Sequence, residues 1–385
     1  MAGTALTVEV VSDLPHLEAL EGEWNSLAWG IPWPMAQFGW IISAARAYQD
    51  DRLCIIVLRK SGTIQAVAPF VLRRYGLAHR LECLDHKLSE PQRLIARNEH
   101  YLQLLLKVLR MARYPLLLRG SATTSEDVHE FKRLTRAGLW VEKTSGSQDS
   151  FVPFSDIGQD LEERMSTKRR CTLRRKRRAA EKHGTVRFTI TRPRPDELPE
   201  LLDEFCRVES SGWKGRAATG LQYDSKRSSF FRMYSTRMAH EGALRLGFMT
   251  IGNATAAVRL DVIWANKSWE LEIGYDEHFA HCSPGLLLSH EALRHGQAEG
   301  LLGHHFLGEA EPWHDTWAAN KVNRVTLRYY PTTMSGMSAL FQDALSRVGR
   351  TIRRRRRLLS ADGKGAPGKS DAHLKENRTN PMTAT

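Results

Sequence analysis

Cysteine is scarce and scattered in this chain of 385 residues: Cys54, Cys83, Cys171, Cys206 and Cys282 form no C-x-x-C pair and keep no regular spacing. That pattern excludes a disulfide scaffold and a zinc ribbon, and suits a reducing compartment. Long apolar runs are lacking as well. The most leucine-rich stretch, Tyr101 to Leu118, is broken by Lys107, Arg110 and Arg113 and is too charged to cross a bilayer. The opening residues carry no basic segment followed by an apolar core, so no export leader is expected and the expected location is cytoplasmic. Acidic residues are outnumbered, 43 against 56 Lys and Arg, for a net charge of +13. The excess is local: Arg164 to Lys182 holds ten basic residues and one acid, Arg350 to Thr385 ten and three, and the remainder is slightly negative. A uniform nucleic-acid coat is therefore excluded, and two basic segments need a specific account.

What is present is 42% hydrophobic content in a length that suffices for two packed domains. A short strand at 8–11 and a helix at 14–26 lead into β-branched runs at 52–58 and 63–72, joined as a hairpin by Arg59-Lys-Ser-Gly62. A helix at 101–113, a strand at 114–118 and a helix at 124–137 follow. The second half starts with a basic helix at 161–182, a strand at 186–191 and a helix at 196–210 whose buried face is Leu198, Leu201, Leu202, Phe205 and Val208. A helix at 228–240, a meander of strands at 243–251, 255–264 and 267–275, a helix at 283–299 and strands at 305–307 and 325–330 complete it. This alternation predicts an α/β (α+β mixed) protein of two similar halves, 1–155 and 156–335. A basic amphipathic helix at 336–360 and a disordered polar tail at 361–385 are expected after them.

Ser283-Pro-Gly-Leu286 is the sharpest local signal. Ser283 suits a helix N-cap, Pro284 the first helical position, and Gly285 leaves the unpaired N–H groups of Gly285 and Leu286 open to an anion such as a pyrophosphate. The same residues also make a plain helix start. In Trp269-Glu-Leu-Glu-Ile-Gly-Tyr275, strand alternation puts Trp269, Leu271, Ile273 and Tyr275 on one face and Glu270, Glu272 and Gly274 on the other. Glu272 could take a proton from an attacking amine and Tyr275 could give one to a leaving thiolate; a solvated acidic face is the alternative. Seven histidines lie between His278 and His314, yet His290 and His295 stand about 140° apart around a helix and His304 and His305 diverge on a strand, so no metal site is expected. Glu309, Glu311, Trp313 and His314 crowd a loop after a strand, and Trp213-Lys214-Gly215 forms a second polar-aromatic corner; either suits substrate contacts or a structural turn. The basic helix, with Arg174, would repel itself without an anionic neighbour, such as a cofactor phosphate, nucleic acid or lipid. Arg353 to Arg357 could touch an anionic membrane surface.

In this order, Arg169, Arg170, Arg174 and Arg175, Trp213-Lys-Gly215, Gly274-Tyr-Asp276, Ser283-Pro-Gly285, Gly300 and Phe306-Leu-Gly-Glu-x-Glu-Pro-Trp313 resemble the CelD/BcsL-type acetyltransferases of bacterial polysaccharide biosynthesis. These belong to the GNAT superfamily, and their catalytic part is also called the BioF-like acetyltransferase domain. The resemblance spans about 160–320; a tandem arrangement like that of FemAB-type transferases extends it to the first half. It implies two tandem GNAT-like domains, each a mixed splayed sheet flanked by helices, the second of them catalytic. It implies acetyl-CoA or another acyl-CoA as donor, held by Ser283, Gly285, Leu286 and Arg174, with no metal. Glu272 and Tyr275 would be catalytic, and a small amine or sugar acceptor would meet Trp213, Lys214, Glu309, Glu311, Trp313 and His314. The chain departs from the pattern at His305, at His314, and in having Ser-Pro-Gly for the superfamily's Gly-x-Gly loop. Two rival readings are an aminoacyl-tRNA-dependent transferase of FemAB type, with the 164–182 helix on RNA, and a non-catalytic module that binds anionic polymer or membrane.

Overall fold

The computed structural model describes residues 6–88, 90–122, 128–131, 139–154, 161–308, 310–317 and 319–362. Of the expected helix at 124–137 only 128–131 are described, and these are helical; the expected tail lies outside them apart from 361–362. The chain is of mixed α/β class, built on one large mixed sheet flanked by helices.

Thirteen strands make that sheet: β1 (Leu6–Val11), β2 (Arg52–Lys60), β3 (Thr63–Tyr75), β4 (Ala78–Cys83), β5 (Ile95–Ala96), β6 (Leu116–Ala122), β7 (Leu139–Pro153), β8 (Val186–Thr191), β9 (Leu244–Ile251), β10 (Ala254–Trp264), β11 (Lys267–Tyr275), β12 (Gly303–Phe306) and β13 (Asn320–Tyr330). Their order is β1-β2-β3-β4-β6-β13-β7-β12-β11-β10-β9-β8, with β5 on β3. The halves interlock, because β13 from the end of the second half lies between β6 and β7 of the first, and β7 also pairs with β12.

Ten helices are used below: α1 (Leu14–Ala19), α2 (Glu21–Ala28), α3 (Phe38–Ala47), α4 (Glu99–Met111), α5 (Thr167–Glu181), α6 (Leu198–Glu209), α7 (Trp213–Arg216), α8 (Ser225–His240), α9 (Pro284–Ala298) and α10 (Met334–Asp362). The first core cluster holds residues of α1–α3 together with α6, α8 and one face of the β9–β11 meander. Two further clusters lie under α4 and under α5 with α9. Trp40 of α3 packs edge-on to Phe230 and Tyr234 of α8, and the Tyr234 hydroxyl donates to Gln37 Oε1 at 2.6 Å. That buried aromatic joint holds an N-terminal helix against the second half. One compact unit runs to Ala339 and a second starts at Leu340; in the second, Phe341, Leu345, Val348 and Ile352 recur along one exposed face of α10.

Element bounds move where local chemistry dictates. The basic helix starts at Thr167 instead of 161 because the Ser166 side chain caps the Arg169 N–H. Trp213-Lys-Gly215 is a short helix instead of a turn, and 277–282 is a 3-10 helix capped by Asp276. Helix α3 follows the proline break at 32–34 and has almost every position buried, so it presents no polar face to read.

Candidate active site

Strands β11 and β12 are parallel and pair at Ser268–His304, Trp269–His305 and Glu270–Phe306 only. Beyond that β12 ends while β11 runs on to Tyr275, so the sheet splays open between them. On its other edge β11 meets β10 through a bulge: Glu272 lies opposite Leu260 and Glu270 opposite Asp261, and Leu271 between them has no partner. A bulge resets the alternation of side chains. Glu272 therefore faces Lys214 of α7 and Gly274 the end of α6, whereas Ile273 and Tyr275 face the start of α9 and Glu270 faces Arg259. The expected single face of Glu270, Glu272 and Gly274 is thus split by one extra residue. Nor is it solvated, since both carboxylates are buried.

Glu272 anchors a buried charge cluster. Lys214 Nζ donates to Glu272 Oε2 at 2.7 Å and to the Ile273 carbonyl at 3.0 Å, and sits 3.0 Å from Glu209 Oε1; Arg227 pairs with the other Glu272 oxygen. Burial lowers the Lys214 pKa, while Glu209 opposes that shift. Glu209 is itself held by the Leu221 N–H at 2.8 Å and the Ser210 hydroxyl at 3.1 Å. Gly274 makes this possible: any Cβ there would fall within contact distance of Glu209 Cα and 2.9 Å from its Cβ. Both Glu272 oxygens are thus taken by cations, Lys214 on one and Arg227 on the other, as befits a carboxylate that anchors its neighbours.

At the mouth of the splay, Ser283 does not cap α9 with its hydroxyl. It is left-handed (φ 53°), because its N–H closes the 3-10 turn on Ala280 and its carbonyl takes the Leu287 N–H. The Gly285 and Leu286 N–H groups have no acceptor among the described residues, and a Cβ placed on Gly285 would lie 3.7 Å from the Ile273 and Tyr275 side chains. Lys176 is a cation at this end, and its Nζ donates to the His281 carbonyl at 2.7 Å. Arg174 lies further along, 3.9 Å from Glu162, which also meets His290 two turns into α9.

The floor of the splay is a buried network on Arg259, whose guanidinium reaches Asp261 at 2.7 Å, Glu270 at 2.8 Å and His304 Nε2 at 2.7 Å. Arginine only donates, so His304 accepts at Nε2 and gives its Nδ1 hydrogen to Ser268, 3.1 Å away. Burial raises Glu270 to about 7 against the pull of Arg259. His314 is buried and stacked on Phe306, and burial lowers its pKa to about 3; its Nδ1 accepts from the Glu311 N–H at 3.3 Å. His305, lowered likewise to about 3, stacks on Trp269 with ring centroids 3.8 Å apart. Glu311 is exposed and takes the Trp313 indole N–H at 2.6 Å. Glu309 and the Trp213 side chain lie outside the described residues.

Sequence reasoning missed the contribution of the first half. Trp33 packs edge-on to Trp269 with Arg93 over its ring, and a narrow cavity beside them is lined by Trp33, Asp85, Pro91 and Arg93. Burial raises Asp85 to about 6 and Glu90 to about 8. Only the isolated Gly30-Ile-Pro-Trp-Pro34 break signalled that this segment is special.

Residues 167–315 match the model of the acetyltransferase (GNAT) domain. None of the curated proteins matches the chain in sequence. Among solved structures, FemX is similar in fold, at 10% identity and a TM-score of 0.53, over 83% of this chain and 96% of that one. So is the C-terminal domain of a putative lysylphosphatidylglycerol synthetase from Agrobacterium fabrum, at 9% identity and 0.53, over 86% and 97%. L-PGS from Bacillus licheniformis gives 12% and 0.52, over 86% and 96%. With its splayed β11–β12 pair, its bulge and the open helix terminus at Gly285, the chain has a GNAT-type acyltransferase fold, and its residues 167–315 match the acetyltransferase domain of that superfamily.

Proposed function

We propose that the protein transfers an acyl group, acetyl or a relative of it, from coenzyme A to a small amine or sugar acceptor. The observation that carries this is the pairing of a splayed, bulged β11 with the unpaired Gly285 and Leu286 N–H groups. A pyrophosphate at those donors would be held by N–H groups and dipole together, with Lys176 beside them. Free backbone groups of β11 past Glu270 would receive the developing oxyanion. Two substrates held in the cleft would react by direct attack, positioning supplying much of the rate.

In this reading Glu272 orients Lys214 toward the acceptor side, and Tyr275, on the donor face, protonates the leaving thiolate. Glu311, Trp313 and His314 border the acceptor, and residues 1–155 wall it through Trp33 and Arg93 while 156–335 carry the donor. The acceptor in turn belongs to polysaccharide biosynthesis of the CelD/BcsL kind. The direct test is release of free thiol from acetyl-CoA over a panel of amines and amino sugars. Tyr275→Phe should lower kcat on the order of 100-fold with little change in KM; an unchanged kcat would remove Tyr275 from the chemistry.

An aminoacyl-tRNA donor is the second reading, favoured by the exposure of Arg174, Arg175, Arg177 and Arg178 on α5. It requires a salt-steep gel shift with bulk tRNA that is lost when those arginines are neutralised. Peripheral attachment through α10 rests on its exposed apolar face and the Arg353–Arg357 run; sedimentation with anionic vesicles must fail for a chain truncated at Gly349.

A further inference from the structure

We propose that His183, His281 and Cys282 form a binding site for a divalent transition-metal ion of the zinc class, a clasp between the end of α5 and the turn that opens α9. His183 follows the last turn of α5, its N–H bonded to the Ala180 carbonyl at 2.9 Å, and His281 and Cys282 end the 3-10 helix that leads into Ser283. The ring nitrogens and the thiol lie within 4.8 Å of one another, and His281 Nε2 meets His183 Nε2 at 2.8 Å. Two imidazole nitrogens in direct contact mean that one donates to the other. A metal would replace that shared hydrogen.

The geometry needed is close to the geometry present. Zinc holds imidazole nitrogen at about 2.0–2.1 Å and thiolate at about 2.3 Å, so tetrahedral ligand atoms stand about 3.3–3.8 Å apart. The His183–His281 contact has to open by about 0.5 Å to reach that range. On binding, the donating imidazole moves its proton to its other ring nitrogen, the Cys282 thiol gives its proton to solvent, and three lone pairs face the ion. Both histidines are exposed, which gives the ion a way in, and Cys282 closes the inner side. A fourth position stays open toward solvent.

A second constellation, Asp261, Glu270 and His304, also has metal-ligand spacing, but there the Arg259 guanidinium already contacts all three groups and holds the place a cation would take. Among the described residues no Lys or Arg side chain is bonded to the two imidazoles or the thiol, and Lys176, whose charge Cys282 feels, is tied to the His281 carbonyl. The basic character of α5 disfavours hard, weakly held ions such as magnesium and calcium, so the site selects for a metal that prefers imidazole and thiolate.

Cobalt(II) is the probe. Titrated into the reduced full-length protein, it should saturate at one equivalent with a near-ultraviolet sulfur-to-cobalt charge-transfer band. Cys282→Ser should abolish the band, whereas Cys171→Ser, which removes an exposed thiol elsewhere on α5, should leave it intact. His183→Asn, at an exposed position that tolerates polar change, should weaken binding at least tenfold with an unchanged circular dichroism spectrum, and should abolish any metal-dependent rise in melting temperature. No band at stoichiometric cobalt, a band that survives in Cys282→Ser, or equal affinity in His183→Asn would overturn the proposal.

Discussion

Replacing Glu272 with glutamine separates an anchoring carboxylate from a catalytic base. The Glu272 carboxylate is buried, receives Lys214 at 2.7 Å, and pairs with Arg227 through its other oxygen. Glutamine keeps the shape but removes the charge and turns an acceptor toward one cation into a donor. Removing one partner of a buried pair costs about 3–5 kcal/mol. Glu209 still holds Lys214 at 3.0 Å, so the lower end, about 3 kcal/mol, is expected for Glu272→Gln. For a unit running from Met1 to Ala339, at about 1.4 °C per kcal/mol, the melting temperature should fall by about 4 °C. Glu272→Gln and Lys214→Met should also be strongly non-additive, with a coupling on the order of 1–3 kcal/mol. For activity, kcat/KM should drop while its pH profile keeps its acid limb, because no titrating base has been lost. Unchanged stability together with a vanished acid limb would refute the anchoring account and restore Glu272 as the base.

Two further outcomes follow from the same geometry. Gly274→Ala should destabilise by about 2–3 kcal/mol in thermal unfolding, at the upper end for overpacking, because the added methyl meets the backbone of α6, which cannot swing aside; a neutral result would mean that α6 does not approach β11 this closely. Burial raises Glu90 to about 8, so the folded chain keeps its proton while the unfolded chain loses it near 4.5. Stability should therefore decline between about pH 4.5 and 8, and Glu90→Gln should flatten that decline, the gap in melting temperature growing with pH up to the equivalent of a few kcal/mol. Parallel curves for the two proteins would contradict it.

The elements of the second half were legible because their periodicities are strong and local: β11 is found at the expected residues, and α6 and α9 within two residues of theirs. Short-range chemistry at Pro284 and Gly285 likewise marked a helix start. The facing of Glu270 and Glu272 was not legible, since a bulge arises from the pairing of two strands and leaves no trace in the alternation of one. Ser283 has the right residue type for a cap, but the preceding turn forces it into the left-handed region and takes its hydroxyl out of that role. The long seven-histidine segment drew attention to itself, yet the pair that meets, His183 and His281, is joined only by the packing of α5 on the 277–282 turn. Trp33 and Arg93 were missed for the same reason: Trp33 meets Trp269, and the charge of Arg93 helps to lower the His305 pKa, each more than two hundred residues away in sequence, and no spacing rule reaches that far.

The central claim is that the start of α9 receives the phosphates of an acyl-CoA donor. Thermal unfolding of the purified protein with and without acetyl-CoA, with Gly285→Asp as control, tests it most directly. A ligand at about 100 times its Kd adds about 2.7 kcal/mol to folding stability, and that gain should be seen in the parent protein and be lost when a carboxylate is put beside the Gly285 and Leu286 N–H groups. Absence of any shift with acetyl-CoA, free coenzyme A or longer acyl-CoAs, or a shift that survives in Gly285→Asp, would contradict the account.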